Sequence, residues 1–147
     1  MNRIVVLNGP NLNLLGTREP ALYGTATLSD IVTMLAARAG ELGVTVQAIQ
    51  SNHEGELVDA VQRLRLDADG AIVNLGAYTH TSLALRDAFL STTVPFVEVH
   101  LTNLFRREAA RQHSLTADLA VGLVTGFGAR GYLLALDALV AVLRDTP

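Results

Sequence analysis

The sequence predicts an α/β fold built on one parallel sheet of five strands. Short runs rich in Val, Ile and Leu alternate along the chain with longer segments of helical periodicity, the pattern of successive βαβ crossovers. Most of these runs are apolar throughout, as strands covered on both faces are. A chain of 147 residues, 50% of them hydrophobic, is expected to form one domain (1–147) with a sizeable aliphatic core.

Arg3 to Leu7 (RIVVL) reads as a buried strand, stopped by Asn8-Gly9-Pro10. The stretch that follows, Asn8 to Gly24 (NGPNLNLLGTREPALYG), is too rich in Gly, Pro and Asn for a helix and holds few core formers. Loops of that length without regular structure are usually functional or disordered, and residues 17–25 are expected to form an active-site lid. Thr27 to Leu42 has helical spacing and a glycine, Gly43, at its C-terminal end. Val44 to Gln50 alternates as a strand does. Ser51-Asn52-His53 then offers capping groups to a helix from Glu54 to Arg65, with Leu57, Val61 and Leu64 on one face. Ala71 to Leu75 is the third strand, followed by GAYTHTS and a helix through Leu90. Val94 to Val99 is the fourth, with Pro95 tolerated at its start. A polar segment leads to a fifth strand, Leu119 to Val124, and a last helix, Ala129 to Leu143. Five such units suggest a flavodoxin-like three-layer sandwich of strand order 2-1-3-4-5, its site outside the carboxyl ends of the strands.

Composition excludes several classes. There is no cysteine, so disulfides and thiolate catalysis are out, which fits a reducing compartment. A net charge of −3 without a basic stripe gives no sign of a nucleic-acid partner. The longest hydrophobic region, Tyr132 to Leu143, is broken by Asp137 and too short for a bilayer, and the N-terminus shows no signal-peptide pattern. A cytoplasmic protein is expected. Four scattered histidines show no ligand spacing, so no metal is expected, and no G-x-G-x-x-G follows the first strand to bind a dinucleotide.

The carboxyl-end rim gathers the residues able to do chemistry. Glu98 and His100 alternate onto the same side of strand four, so the carboxylate can fix the imidazole's tautomer and make His100 a proton donor. The ordinary reading is a structural histidine. His80, in THTS, lies where free amides at a helix N-terminus attract anions, though Thr79, Thr81 or Ser82 there are better read as caps. Asn11 and Asn74 sit where hydrophobes would pack more cheaply and can orient a substrate hydroxyl or a water; for Asn11 a tight turn explains the residue equally well. Arg18 and Tyr23 are five apart in the expected lid. A guanidinium about 4 Å from a phenol, in an effective dielectric near 20, favours the phenolate by roughly 4 kcal/mol, enough to make it a usable base. Spacing alone fits equally a surface arginine and a tyrosine packing the loop down. Arg107 and Arg111, four apart on an expected short helix with Glu108, are either a solvated face or ligands for a carboxylate or diol. Asp87, inside the third helix, reads by itself as a surface acid.

Taken in order, NGPNLNLLGTREPALYG, QSNHEGELVD, NLGAYTHTSLALRDA, FVEVHLTN and the closing G-x-G-x-x-GYLLAL resemble the type II 3-dehydroquinate dehydratases nearly end to end. The resemblance implies a cofactor-free and metal-free lyase, usually a dodecamer of four trimers, that converts 3-dehydroquinate to 3-dehydroshikimate by anti elimination through an enolate. It implies Tyr23 as the base at C2, Arg18 as the lid arginine favouring its ionised form, and His100, backed by Glu98, as the acid at the C1 hydroxyl. Asn11 is matched to positioning a water on the enolate, and Asn74 with the Leu101 and Thr102 amides to holding the carboxylate. His80 and Arg111 are matched to the ring hydroxyls, and Asp87 to an acid reaching in from a neighbouring subunit. The chain contains no lysine, which excludes the Schiff-base route of the unrelated type I enzymes. Thr102 stands where serine is common, Leu75 where proline or alanine is, Phe105-Arg106 where His-Ala is, and Leu115 where tyrosine is. Two rivals differ in class. A flavodoxin-like signalling or flavin-binding module would want acids at Asn8 and Asn74 or a hydroxyl-rich loop after strand one. A non-catalytic relative would bind quinate-like acids without turnover.

Overall fold

The computed structural model describes residues 2–145. Its sheet comprises β1 (Arg3–Asn8), β2 (Thr45–Gln50), β3 (Gly70–Asn74), β4 (Phe96–His100) and β5 (Gly122–Thr125), all parallel and ordered β2-β1-β3-β4-β5. This is the flavodoxin-like order expected from the sequence. Helices are α1 (Pro20–Tyr23), α2 (Leu28–Leu42), α3 (Glu54–Asp67), α4 (Leu83–Leu90) and α5 (Arg130–Asp145).

Strand alternation explains the three layers. Ile4 and Val6 of β1, Ile72 of β3 and Val97 and Val99 of β4 point to one face, where α2 and α5 cover them with Ile31, Leu35, Leu136 and Leu139. Val5, Leu7, Val73 and Phe96 point to the other, under Leu57, Val61 and Leu64 of α3 and Leu85 and Phe89 of α4. Both faces being buried is what makes these strands read as unbroken apolar runs. The helix ends follow their local chemistry. Thr27 and Asp30 form a reciprocal capping box at the start of α2, and Gly43 ends it in the left-handed conformation (φ 71°) that glycine adopts freely. Ser82 accepts from the Leu85 amide and caps α4. Among the described residues no helix is long and apolar enough to cross a membrane.

Three expectations are corrected. The stretch after β1 is not devoid of helix: Leu12–Leu14 form a 3-10 turn and Pro20–Tyr23 one α-turn. Leu12 and Leu15 are buried against the α2/α5 face, so the first half of this stretch belongs to the core. The fifth strand begins at Gly122; Leu119 lies in a 3-10 turn (Ala117–Leu119), because ladder pairing starts only where Val121 donates to the Phe96 carbonyl. Arg107 and Arg111 do not share a helix. Leu104–Arg106 and Ala109–Arg111 are separate 3-10 turns, broken by extended backbone at Arg107 and Glu108.

Candidate active site

The carboxyl ends of β1, β3 and β4 open into a cleft of about 140 Å³, close to the roughly 150 Å³ that holds one benzene ring in an engineered cavity. Its floor is made by close backbone crossings. A Cβ on Gly9 would lie 2.3 Å from the Leu75 carbonyl oxygen, and one on Gly76 (φ 58°) 3.0 Å from that of Pro10. Only glycine lets the β1 and β3 loops approach so closely. Asn52, beyond β2, ties the crossing down: its Oδ1 accepts from the Asn11 amide (2.9 Å) and from Gln50 Nε2 (3.2 Å), and its carbonyl accepts from the Tyr78 hydroxyl (2.7 Å). Asn11 itself adopts a left-handed conformation (φ 67°) and lines the cleft, so its turn role and its site role coincide.

His100 ends β4 almost wholly buried, and its Nε2 donates to Glu98 Oε2 at 2.8 Å. The carboxylate therefore fixes a proton on Nε2 and leaves Nδ1 as the ring atom available for chemistry. Glu98 Oε1 accepts from the hydroxyls of Ser114 (3.0 Å) and Thr116. Burial pushes the Glu98 pKa up, but the hydrogen bond and charge of His100 and the two hydroxyls outweigh it, holding Glu98 below the ordinary carboxylate value. His80 lies beside His100, ring centroids 6.5 Å apart. Its Nδ1 donates to the His113 carbonyl (2.6 Å) while His113 Nε2 donates back to the His80 carbonyl (3.1 Å). Burial lowers the His80 pKa, with the nearby cationic groups adding to it against the His113 hydrogen bond. His80 is thus a neutral ring whose Nε2 can only accept.

Tyr23 sits between two guanidiniums. Arg18 lies 5.0 Å from the ring centroid, over its face rather than at its oxygen. The cation at the phenolic oxygen is Arg107, whose Nη2 donates to it at 3.3 Å while Nη1 donates to Thr102 Oγ1 at 3.0 Å. The expected Arg18–Tyr23 pair is present, but as a cation–π contact. The direct contact belongs to Arg107, which the sequence left as either part of a solvated face or a ligand for a carboxylate or diol.

Asn74 is more committed than its sequence position suggests. Its Oδ1 accepts from the Gly76 amide (3.1 Å) and its Nδ2 donates to the Tyr132 hydroxyl (3.0 Å), which donates in turn to Asn8 Oδ1 (2.7 Å). One Nδ2 proton remains for the cleft. Leu101 and Thr102 line the wall, their turn pinned by Thr125, which donates to the Thr102 carbonyl and accepts from the Leu104 amide. Arg111 lines the rim, paired with Glu108. Asp87 is exposed on α4 and does not line the cleft of its own chain. The glycine-rich turn after β5 directs its Gly126 and Gly128 amides onto the His100 and Leu101 carbonyls, so it braces β4 instead of cradling a phosphate. No acid lines the cleft among the described residues, whereas three arginines do. That arrangement suits an anionic ligand. Among the described residues no cluster of His, Cys, Asp or Glu could hold a metal.

A family model described as dehydroquinase class II matches residues 2–140. The chain belongs to the class II dehydroquinase family. This dehydroquinase is 58% identical over 141 residues to the 3-dehydroquinate dehydratase of Gemmatimonas aurantiaca, covering 96% of this chain and 93% of that one. It is 52% identical to the catabolic 3-dehydroquinase of Aspergillus clavatus, with 91% and 89% covered. The crystal structure of type II dehydroquinase from Propionibacterium acnes superposes with a TM-score of 0.92 at 36% identity, covering 96% and 97% of the two chains.

Proposed function

We propose that this dehydroquinase dehydrates 3-dehydroquinate to 3-dehydroshikimate by anti elimination, with Tyr23 as base and His100 as acid. The observation that supports it best is the placement, in one acid-free cleft, of a phenol contacted by a guanidinium and a histidine backed by a buried carboxylate. Ionised Tyr23 takes the C2 proton, and the electron pair moves into the enolate, with charge on the C3 oxygen. Collapse of the enolate forms the C1–C2 double bond and breaks the C1–O bond. His100 Nδ1 delivers the proton with which that oxygen leaves as water. Tyr23 ends protonated and His100 neutral, and proton exchange with solvent resets both. Stabilising the developing oxyanion is usually the largest catalytic term; Asn11 would hold a water against it. Asn74 and the Leu101–Thr102 amides would hold the carboxylate. His80 Nε2 would accept from a ring hydroxyl and Arg111 would donate to one. Residues 17–25 form the lid in this reading, bracketed by left-handed backbone at Gly16 (φ 91°) and Gly24 (φ 85°). Asp87 would serve a neighbouring subunit's cleft in a dodecamer of four trimers. In this reading the step serves shikimate formation or quinate breakdown; the Aspergillus clavatus relative is a catabolic 3-dehydroquinase.

Appearance of the conjugated enone, followed by absorbance, tests this. Tyr23→Phe and His100→Ala are expected to abolish turnover while substrate binding persists. Wild type that binds 3-dehydroquinate without converting it would instead make the chain a non-catalytic relative.

A further inference from the structure

Glu98 and His100 share one proton whose position decides whether His100 can act as an acid. The pair has two forms of equal net charge: carboxylate with imidazolium, or carboxylic acid with neutral imidazole. Only the first makes the ring a strong donor at Nδ1. Burial by itself favours the second, because it penalises both charges.

Ser114 and Thr116 sit behind the carboxylate, outside the cleft lining. The Ser114 oxygen accepts two backbone amides, Thr116 N at 3.1 Å and Ala117 N at 3.0 Å. With both lone pairs taken, its hydrogen is left to donate, and Glu98 Oε1 at 3.0 Å is nearer than the alternative, Thr116 Oγ1 at 3.4 Å. Thr116, 1% exposed, directs its hydroxyl at the same oxygen. Oε1 thus faces two donors and Oε2 faces His100 Nε2. The backbone turn at 114–117 has preset the carboxylate to be an acceptor at every corner.

The remaining titratable groups near the pair do not supply this bias. His80 is neutral and lies beside His100, with His113 behind it. Arg18, Arg107, Arg111 and Tyr23 line the cleft on the substrate side. The flanking strands β3 and β5 carry no titratable side chain, and Tyr132 of α5 points its hydroxyl at Asn8.

We propose that Ser114 and Thr116 are positioning residues that keep the shared proton on the imidazole, so that His100 enters the reaction doubly protonated. This rests on the reading of His100 as the acid. The test is Thr116→Val, nearly isosteric and lacking only the hydroxyl, with Thr116→Ser as the rescuing variant. Protein labelled with ¹⁵N-histidine reports where the proton sits, and steady-state kinetics report its use. On the plateau below the alkaline limb of kcat, wild type shows His100 with the imidazolium ¹⁵N pattern. In Thr116→Val the pattern moves towards neutral imidazole and kcat falls about ten- to hundredfold, the equivalent of one lost hydrogen bond to a charged group, with KM nearly unchanged. The sign of the pH effect is distinctive. Losing the hydroxyl destabilises carboxylate forms only, so the pair keeps its proton to higher pH, on the wrong atom. The alkaline limb of kcat therefore moves up although kcat is lower, and Thr116→Ser restores both. A wild-type His100 that is neutral on that plateau, or a Thr116→Val whose ¹⁵N pattern is unchanged, overturns the proposal. The wild-type spectrum decides even where the valine variant fails to fold. Failure of the catalytic reading is separate: it appears as activity retained in His100→Ala.

Discussion

Removing a single oxygen from the centre of the protein tests how its polar core is wired. The Tyr132 hydroxyl, 0% exposed, donates to Asn8 Oδ1 at 2.7 Å and accepts from Asn74 Nδ2 at 3.0 Å, joining α5 to the C-terminal ends of β1 and β3. Tyr132→Phe keeps the ring and its packing. It strips both hydrogen bonds and leaves the Asn8 oxygen facing a ring edge, in a place water does not reach. A buried polar group left unpaired costs about 1–3 kcal/mol, so two together should cost about 2–5 kcal/mol. For a chain of this size that is a fall in Tm of about 5–15 °C. Thermal and urea unfolding at one fixed protomer concentration measure it, since any assembly shifts apparent stability by mass action. A loss below about 1 kcal/mol would refute the reasoning, because it would mean the three side chains were not bonded as described. The alkaline side provides an independent check. Burial pushes the Tyr132 pKa far above its ordinary 10.0, outweighing the Asn74 hydrogen bond that lowers it. Above pH 10.0 the unfolded chain releases this proton and the native one keeps it, so stability falls as pH rises past that point and is whole below it. The phenylalanine variant lacks that part of the alkaline loss.

Arg107→Met should cost more activity than Arg18→Met. Arg107 Nη2 donates to the phenolic oxygen at 3.3 Å, and a hydrogen bond from a charged group is worth about 1.5–3 kcal/mol. A fall in kcat/KM of about ten- to hundredfold follows, and equal effects from the two arginines would contradict the geometry. Gly9→Ala is expected to unfold or severely destabilise the chain, because its Cβ would meet a backbone carbonyl at 2.3 Å that cannot yield; a melt unchanged from wild type would rule that out. The lowered pKa of His80 means that below its ordinary 6.5 the unfolded chain binds a proton the native one resists. Its contribution is present above that pH and lost as pH falls towards the folded value, so His80→Gln should flatten stability against pH in this window. A slope unchanged by the substitution would count against a neutral His80.

The fold was legible because burial on two faces writes itself into composition. β1 and β3 carry continuous apolar runs, β4 is apolar but for Glu98 and His100, and Thr27 and Gly43 bracket α2 as local chemistry requires. What misled was local context. The edge strand β5 is half exposed, so its start cannot be told by hydrophobicity from the Ala117–Leu119 turn before it. The stretch after β1 looked structureless because Gly, Pro and Asn are frequent in it, yet Pro20 suits the first position of α1, and Leu12 and Leu15 find a core that only the tertiary fold supplies.

The site was legible only where chemistry is local in sequence. Glu98 and His100 share a strand face by alternation, and Arg18 and Tyr23 share a loop. Contacts across long separations carry no such signal: Arg107 reaches Tyr23 over 84 residues, and Tyr132 reaches Asn8 over 124. Thr102 shows the consequence. The resemblance singles out its backbone amide and is silent on the hydroxyl; in the fold that hydroxyl accepts from Arg107, whose other Nη donates to the phenol. One rigid guanidinium therefore joins Thr102 to Tyr23, and its planar fork suits an arginine, and not a flexible lysine, to hold both. Which arginine bonds the phenol is therefore decided by the fold, across a separation that no local pattern in the sequence spans.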